Sequence, residues 1–287
     1  MEWINRKNIL IVGLGLIGGS YGMALKRLGY RVLAIDTDKD TIDYAMENGI
    51  IDSGSTEVSE EMLGEADAVI FALYPHVFVE WIKNYQQYFK SGIRITDVTG
   101  VKTAVVYEIQ DILRDDIEFI ASHPMAGKET SGVRYSDDRI FRDANFIVVP
   151  TERNTPEAVE WCYNMGRILG FRHISVLSPE EHDKMIGYVS QLTHCIAVSL
   201  MTCNDDENLV HYTGDSFRDL TRIARINEVM WSELFLDNKE ELSGHIERFI
   251  EELKGIRDAL DRGDAEYLKS KMRLSTERRA KFDKVRK

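Results

Sequence analysis

The sequence predicts an α/β fold: a doubly wound parallel sheet over residues 1–178, followed by an all-helical domain over residues 179–287. Three observations carry this reading. Short apolar runs alternate with helix-spaced segments in the first part, and a glycine-rich turn joins the first run to the first helix. The third is the uneven spread of breakers: all five prolines (Pro75, Pro124, Pro150, Pro156, Pro179) and fifteen of the twenty glycines fall within residues 1–180. The remaining residues are poor in breakers and suited to long helices. At 287 residues the chain has the size of two ordinary domains.

The first run, Asn8–Val12, reads as a buried strand. Behind it Ile17, Tyr21, Leu25 and Leu28 recur at helical spacing, and Gly29 is placed to end that helix. Arg31–Ile35, Ala68–Leu73, Ile93–Thr96, Ile117–Ala121 and Phe146–Val149 read as further strands. A strand–helix–strand rhythm predicts parallel pairing with right-handed crossovers. In the second part Met185, Val189, Leu192 and Ile196 share a helix face, as do Ile246, Phe249, Ile250 and Leu253. Met185–Met201 is strongly apolar but carries Ser190, Gln191, Thr193, His194 and Ser199, so it reads as a buried core helix and not a membrane span. The last 24 residues hold nine Lys/Arg against four Asp/Glu, consistent with a solvated final helix whose cations sit near its C-terminus.

With 36 Lys/Arg against 48 Asp/Glu the formal net charge is −12, which disfavours nucleic acid or an anionic membrane as a partner. A bound anion is expected in a local pocket. Cys162, Cys195 and Cys203 are odd in number and lack C-x-x-C spacing, which speaks against a disulfide framework or structural zinc and for a reducing compartment. No His, Cys or carboxylate spacing suggests a metal site. The opening M-E-W-I-N-R-K-N is expected to leave no room for a signal peptide, so the expected location is the cytoplasm.

Gly13-Leu14-Gly15-Leu16-Ile17-Gly18 fits G-x-G-x-x-G between a strand and an amphipathic helix, the context of a Rossmann-type dinucleotide site. Gly13 permits the tight turn, Gly15 leaves room for a pyrophosphate, and Gly18 allows the helix to pack closely, with Leu16 and Ile17 in the same turn. The helix N-terminus offers N–H groups to the phosphates. Asp36, 23 residues after Gly13, ends the second strand, where its carboxylate can bind both ribose hydroxyls and repel a 2′-phosphate. NAD is therefore favoured over NADP.

Ligands of such sheets sit outside the carboxyl ends of the strands. There the sequence places Tyr74-Pro75-His76, then Asp97-Val98-Thr99-Gly100-Val101-Lys102, then Ser122-His123-Pro124-Met125-Ala126-Gly127-Lys128-Glu129. His123 stands where a hydride-transfer enzyme wants an acid/base, although a lone histidine is often structural. In the helical part Ser190, Gln191 and His194 can share a face, as a pocket lining or as a satisfied interhelical network. Arg218, Arg222 and Arg225 form a stripe suited to a carboxylate, and spacing does not choose among them.

S-H-P-M-A-G-K-E, the D-V-T-G-V-K turn, and F-R-D-L-T-R-I-A followed by M-W, behind the N-terminal G-x-G-x-x-G, resemble the prephenate/arogenate dehydrogenases of tyrosine biosynthesis across essentially the whole chain. The resemblance implies NAD-dependent oxidative decarboxylation of prephenate, and a homodimer formed through the helical domain. It implies His123 as the catalytic base, Arg222 as the carboxylate ligand, His194 as a pocket residue, Glu129 near the pocket mouth and Lys102 as a further substrate contact. Family members often carry serine at Gly100 and histidine at Gln191. Thr99, the nearest hydroxyl, is expected to stand in for that serine. Three alternatives stay open: arogenate as substrate, a β-hydroxyacid dehydrogenase of the same two-domain plan, and an NAD-sensing regulator without chemistry.

Overall fold

The computed structural model describes residues 8–128 and 130–282. Six parallel strands form the main sheet in the order β3-β2-β1-β4-β5-β6. They are β1 (Asn8–Val12), β2 (Arg31–Ile35), β3 (Ser53–Ser55), β4 (Ala68–Phe71), β5 (Arg94–Asp97) and β6 (Glu118–Phe119). The connecting helices are α1 (Leu16–Arg27), α2 (Lys39–Glu47), α3 (Glu60–Glu65), α4 (Pro75–Tyr85) and α5 (Thr103–Ile112). Alternation along the strands feeds two cores. Ile9 and Ile11 of β1 join Tyr21 and Leu25 of α1 on one face, while Leu10 and Val12 join Phe78 and Ile82 of α4 on the other. As the sequence led one to expect, α1 closes at Gly29, where Tyr30 N–H reaches back to Leu25 O at 3.1 Å.

The run Ile117–Ala121 is not one strand. It splits into β6 and β7 (Ala121–Met125), and β7 begins a second sheet with β8 (Asn145–Val149) and β9 (His173–Val176). Here β8 is antiparallel to β7, against the all-parallel expectation. Residues 126–144 hold two short 3-10 turns and no crossover helix among the described residues, so the chain doubles back. Helix α6 (Pro156–Leu169) then carries it to β9, parallel to β8. Neither β3 (Ser-Gly-Ser) nor the half-exposed edge strand β9 has an apolar run long enough to announce it.

From Pro179 onward only helices and short turns are found among the described residues. Helix α7 (Pro179–Ile186) opens with a Ser178/Glu181 capping box and passes through a π turn, Gly187–Gln191, into α8 (Leu192–Thr202). Next come α9 (Asp215–Thr221), a 3-10 turn (Arg222–Ala224) and α10 (Glu228–Asp237). The chain divides into two compact units, Met1–Lys239 and Glu240–Lys287, so these helices share a unit with the sheet. The second unit takes in α11 (Lys239–Arg262) from its second residue onward and α12 (Ala265–Ala280). One expectation needs correction. Pro179–Thr202 is long and apolar enough to cross a membrane by length and composition, yet it is not a buried core helix in the single chain. Met185, Val189 and Met201 are about half exposed.

Candidate active site

At the β1–α1 turn the glycines have distinct duties. Gly13 has φ +93°, and a Cβ there would lie 2.4 Å from Ala72 O; a Cβ on Gly18 would lie 1.9 Å from Gly13 O. Around Gly15, by contrast, nothing lies within 4 Å of the corresponding point, which leaves open space for a ligand's backbone-hugging group. The first turn of α1 has no acidic residue and no side-chain cap, so its amides and positive dipole end suit an anion. Asp36 is pinned at the end of β2 by the N–H groups of Leu14 (2.6 Å) and Asp38 (3.0 Å). Room at Gly15, donors at α1 and a fixed carboxylate one strand away fit a dinucleotide with an unmodified ribose.

On the other side of the β1/β4 reversal, β7 presents His123. Its Nδ1 lies 2.9 Å from Nε2 of His182, whose Nδ1 lies 2.7 Å from Oδ1 of Asp183. The same carboxylate accepts the N–H groups of Lys102 (2.8 Å) and Thr103 (2.7 Å) at the start of α5. An ionised Asp183 fixes the proton of His182 on Nδ1, so His182 Nε2 must accept and His123 Nδ1 must donate. His123 Nε2 is left with its lone pair. Burial first, then the neighbouring His182 and Lys102, pushes the His123 pKa well below the ordinary imidazole value. Burial also lowers that of His182, against the pull of Asp183. Burial works against ionisation of Asp183, but the hydrogen bonds from His182 and Thr103 prevail and hold its carboxyl below the usual range.

His123 opens onto a cavity of about 560 Å³, walled by Gly15–Gly18, the β4 and β5 ends, residues 123–128, α7–α8 and residues 223–234. The π turn shapes the helical wall. Ile186 and Gln191 are five apart, which in a regular helix separates them by roughly 140°; the wider turn lets both line the cavity with Ser190 and His194. Gln191 is buried and donates to Leu234 O (2.8 Å), and its Oε1 accepts from Asn238 (2.8 Å). His194 has Nδ1 3.0 Å from Ser190 O, and its ring stacks on Trp231 of α10 at 3.7 Å between centroids. The charged side chains lining the cavity, among the described residues, are Lys128 and Arg225, both cations in a chain of net charge −12.

Three expected residues stand elsewhere than the sequence suggested. Lys102 is fully buried behind the wall, with Nζ on Asp97 (2.6 Å) and Ser122 O (2.7 Å). A 0% exposed ammonium paired to a buried carboxylate does not reach a substrate. Thr99 borders the cavity, but its hydroxyl bonds Asp97 and sits 2.9 Å from Val101 O and 3.2 Å from Lys102 Nζ, so it is spent in the turn and does not replace a serine at position 100. At Gly100 a Cβ would meet Leu234 at 3.3 Å, so α10 closes over the missing side chain. Arg222 and Arg225 are both exposed; Arg225, left open by spacing, borders the cavity and Arg222 does not. Glu129 lies outside the described residues. Gly15, Leu16, Ile17, Gly18, His123 and His194 all border the cavity. The sequence does not single out His182 and Asp183: an adjacent His-Asp pair within α7 is the only local signal, and nothing in it points to His123, 59 residues away.

The family model for the prephenate dehydrogenase nucleotide-binding domain matches residues 21–175, and that for its dimerization domain matches residues 178–274. The chain belongs to the prephenate dehydrogenase family. Prephenate dehydrogenase of Bacillus subtilis is 31% identical over 270 residues, spanning 92% of this chain and 72% of that relative. Cyclohexadienyl dehydrogenase of Zymomonas mobilis is 29% identical over 270 residues, 91% of each. A crystal structure of prephenate dehydrogenase from A. aeolicus, in complex with hydroxyphenyl propionate and NAD+, matches with a TM-score of 0.90 at 30% identity, covering 98% of this chain and 100% of that one. As a member of the prephenate dehydrogenase family, the protein is an NAD-dependent oxidoreductase with a Rossmann-like domain and a helical C-terminal region.

Proposed function

We infer that the protein oxidises and decarboxylates prephenate to 4-hydroxyphenylpyruvate in tyrosine biosynthesis. The observation that carries the reading is the Asp183–His182–His123 chain, which fixes a neutral imidazole with its Nε2 lone pair available at a cavity whose charged lining is cationic. Gly13, Gly15, Leu16, Ile17, Gly18 and Asp36 would hold NAD, which would supply the hydride acceptor. His123 Nε2 takes the proton of the ring hydroxyl as the carbinol carbon gives up its hydride. The ketone so formed draws electrons across the ring, the C–C bond to the carboxylate breaks, and carbon dioxide leaves. His123 returns the proton to the phenolate oxygen, so protons balance and aromatisation drives the step. The turn Arg222–Arg225 meets the substrate carboxylates, with Arg225 on the wall and Arg222 as the resemblance implies. His194 orients the substrate from the opposite wall, its ring set by Ser190 O and Trp231. Lys102 and Thr99 position the β5–α5 turn and touch no ligand, while Gly100 and Leu234 shape the floor.

The active form proposed is a cytoplasmic homodimer. Helix α8 and its approach leave Met185, Val189 and Met201 open, and α11 leaves Ile250, Leu253 and Leu260 open, apolar surface that a second copy would cover. The test is NADH formation by the purified protein, comparing prephenate with arogenate under NAD and then NADP. Rapid turnover is expected with prephenate and NAD, and His123→Asn should lower kcat by about 10²–10⁴-fold while NAD still binds. Preference for arogenate would keep the mechanism and change the substrate. Clear NAD binding without turnover on either would refute the function.

A further inference from the structure

The loop between β7 and β8 is fastened to the cofactor turn. Ser136 Oγ donates to Leu16 O at 3.1 Å, and the Asp137 N–H donates to Ser20 Oγ at 3.0 Å. Gly19 is bare because a Cβ there would lie 2.2 Å from Ser136 Oγ, so the sequence of α1 is cut to receive this strap. Asp137 is thereby held beside the first turn of α1, and it sits 3.4 Å from Lys128 Nζ. Asp137 already has a closer partner in Arg139, at 2.8 and 3.0 Å, which keeps its carboxyl well below the usual range. Lys128 is the looser member of this group, 39% exposed, and lines the same cavity as Gly15, Leu16, Ile17 and Gly18.

We propose that Lys128 is a second ligand of the cofactor's diphosphate, a cation that the strap delivers to the open space above Gly15. Backbone amides at a helix start supply hydrogen bonds but only partial charge. A diphosphate carries two full negative charges, and a lysine on a flexible stem is suited to meet them as a point charge. The strap favours the diphosphate over the substrate as the partner of this lysine, because Asp137, its ion-pair partner, is anchored through Ser136 and its own N–H to Leu16 and Ser20 on the cofactor side. Asp137 holds the ammonium near its place before the cofactor arrives.

The test is calorimetric binding of ADP-ribose and of adenosine to the wild-type protein, Lys128→Ala and Lys128→Arg, beside the KM for prephenate at saturating NAD. For Lys128→Ala the expected result is an ADP-ribose Kd raised about tenfold, with adenosine binding and the prephenate KM little changed and Lys128→Arg close to wild type. The rise should shrink at high salt, where the charge is screened. Unchanged ADP-ribose binding with a raised prephenate KM would overturn the proposal and make Lys128 a substrate ligand. Unchanged values for both would overturn it too, leaving only a surface ion pair with Asp137.

Discussion

Replacing His182 with leucine tests the relay behind His123. The change removes the acceptor 2.9 Å from His123 Nδ1 and the buried imidazole whose presence disfavours a charged His123. Asp183 keeps the N–H groups of Lys102 and Thr103, and leucine roughly fills the space, so the fold should survive. A neutral hydrogen bond is worth about 1 kcal/mol net. Its loss lets the His123 proton move to Nε2 and should lower the population of the base-competent tautomer, and with it kcat, about fivefold. The second effect is on pH. Because the His123 pKa is now held down by burial and by His182, base-competent His123 persists below the ordinary imidazole value of about 6.5, and activity is lost only as pH falls through the depressed pKa. In His182→Leu the acid limb of kcat/KM should therefore move up toward 6.5. Stopped-flow NADH absorbance between pH 4.5 and 8 reads both, with NAD affinity as the control. A folded variant with an unchanged kcat and an unmoved acid limb would refute the relay.

Two further substitutions separate roles that sequence left open. Arg225→Ala should raise the prephenate KM at least tenfold with little change for NAD, and by more than Arg222→Ala does. The reverse order would return the carboxylate to Arg222. Lys102→Met strands the buried carboxylate of Asp97 and should cost about 3–5 kcal/mol of stability in denaturant titrations. A stable variant with only a raised prephenate KM would put Lys102 back in contact with substrate.

Features that depend on neighbours along the chain were legible in the residues alone. G-x-G-x-x-G between an apolar run and an amphipathic helix requires a strand–turn–helix, and Asp36 at the next strand end follows from one crossover. Long apolar runs marked β1, β2 and β4 because a strand buried on both faces has no polar alternate. His123 was singled out by its place at the end of an apolar run, and it borders the cavity from within β7. Packing settled whatever rests on pairs distant in sequence. Lys102 looks like any strand-end lysine until Asp97 and Ser122 O are seen to close around it. Three arginines on one stripe are equivalent until the 3-10 turn at Arg222–Ala224 rotates Arg225 onto the wall. The proton on His123 is set by His182 and Asp183 across 59 residues, and the strap that brings Ser136 onto α1 spans 120. Local propensity is summed over a few residues and can be read from them. Hydrogen-bond partners and burial are properties of the packed chain, and only there do a base, its tautomer and the cations around it acquire their places.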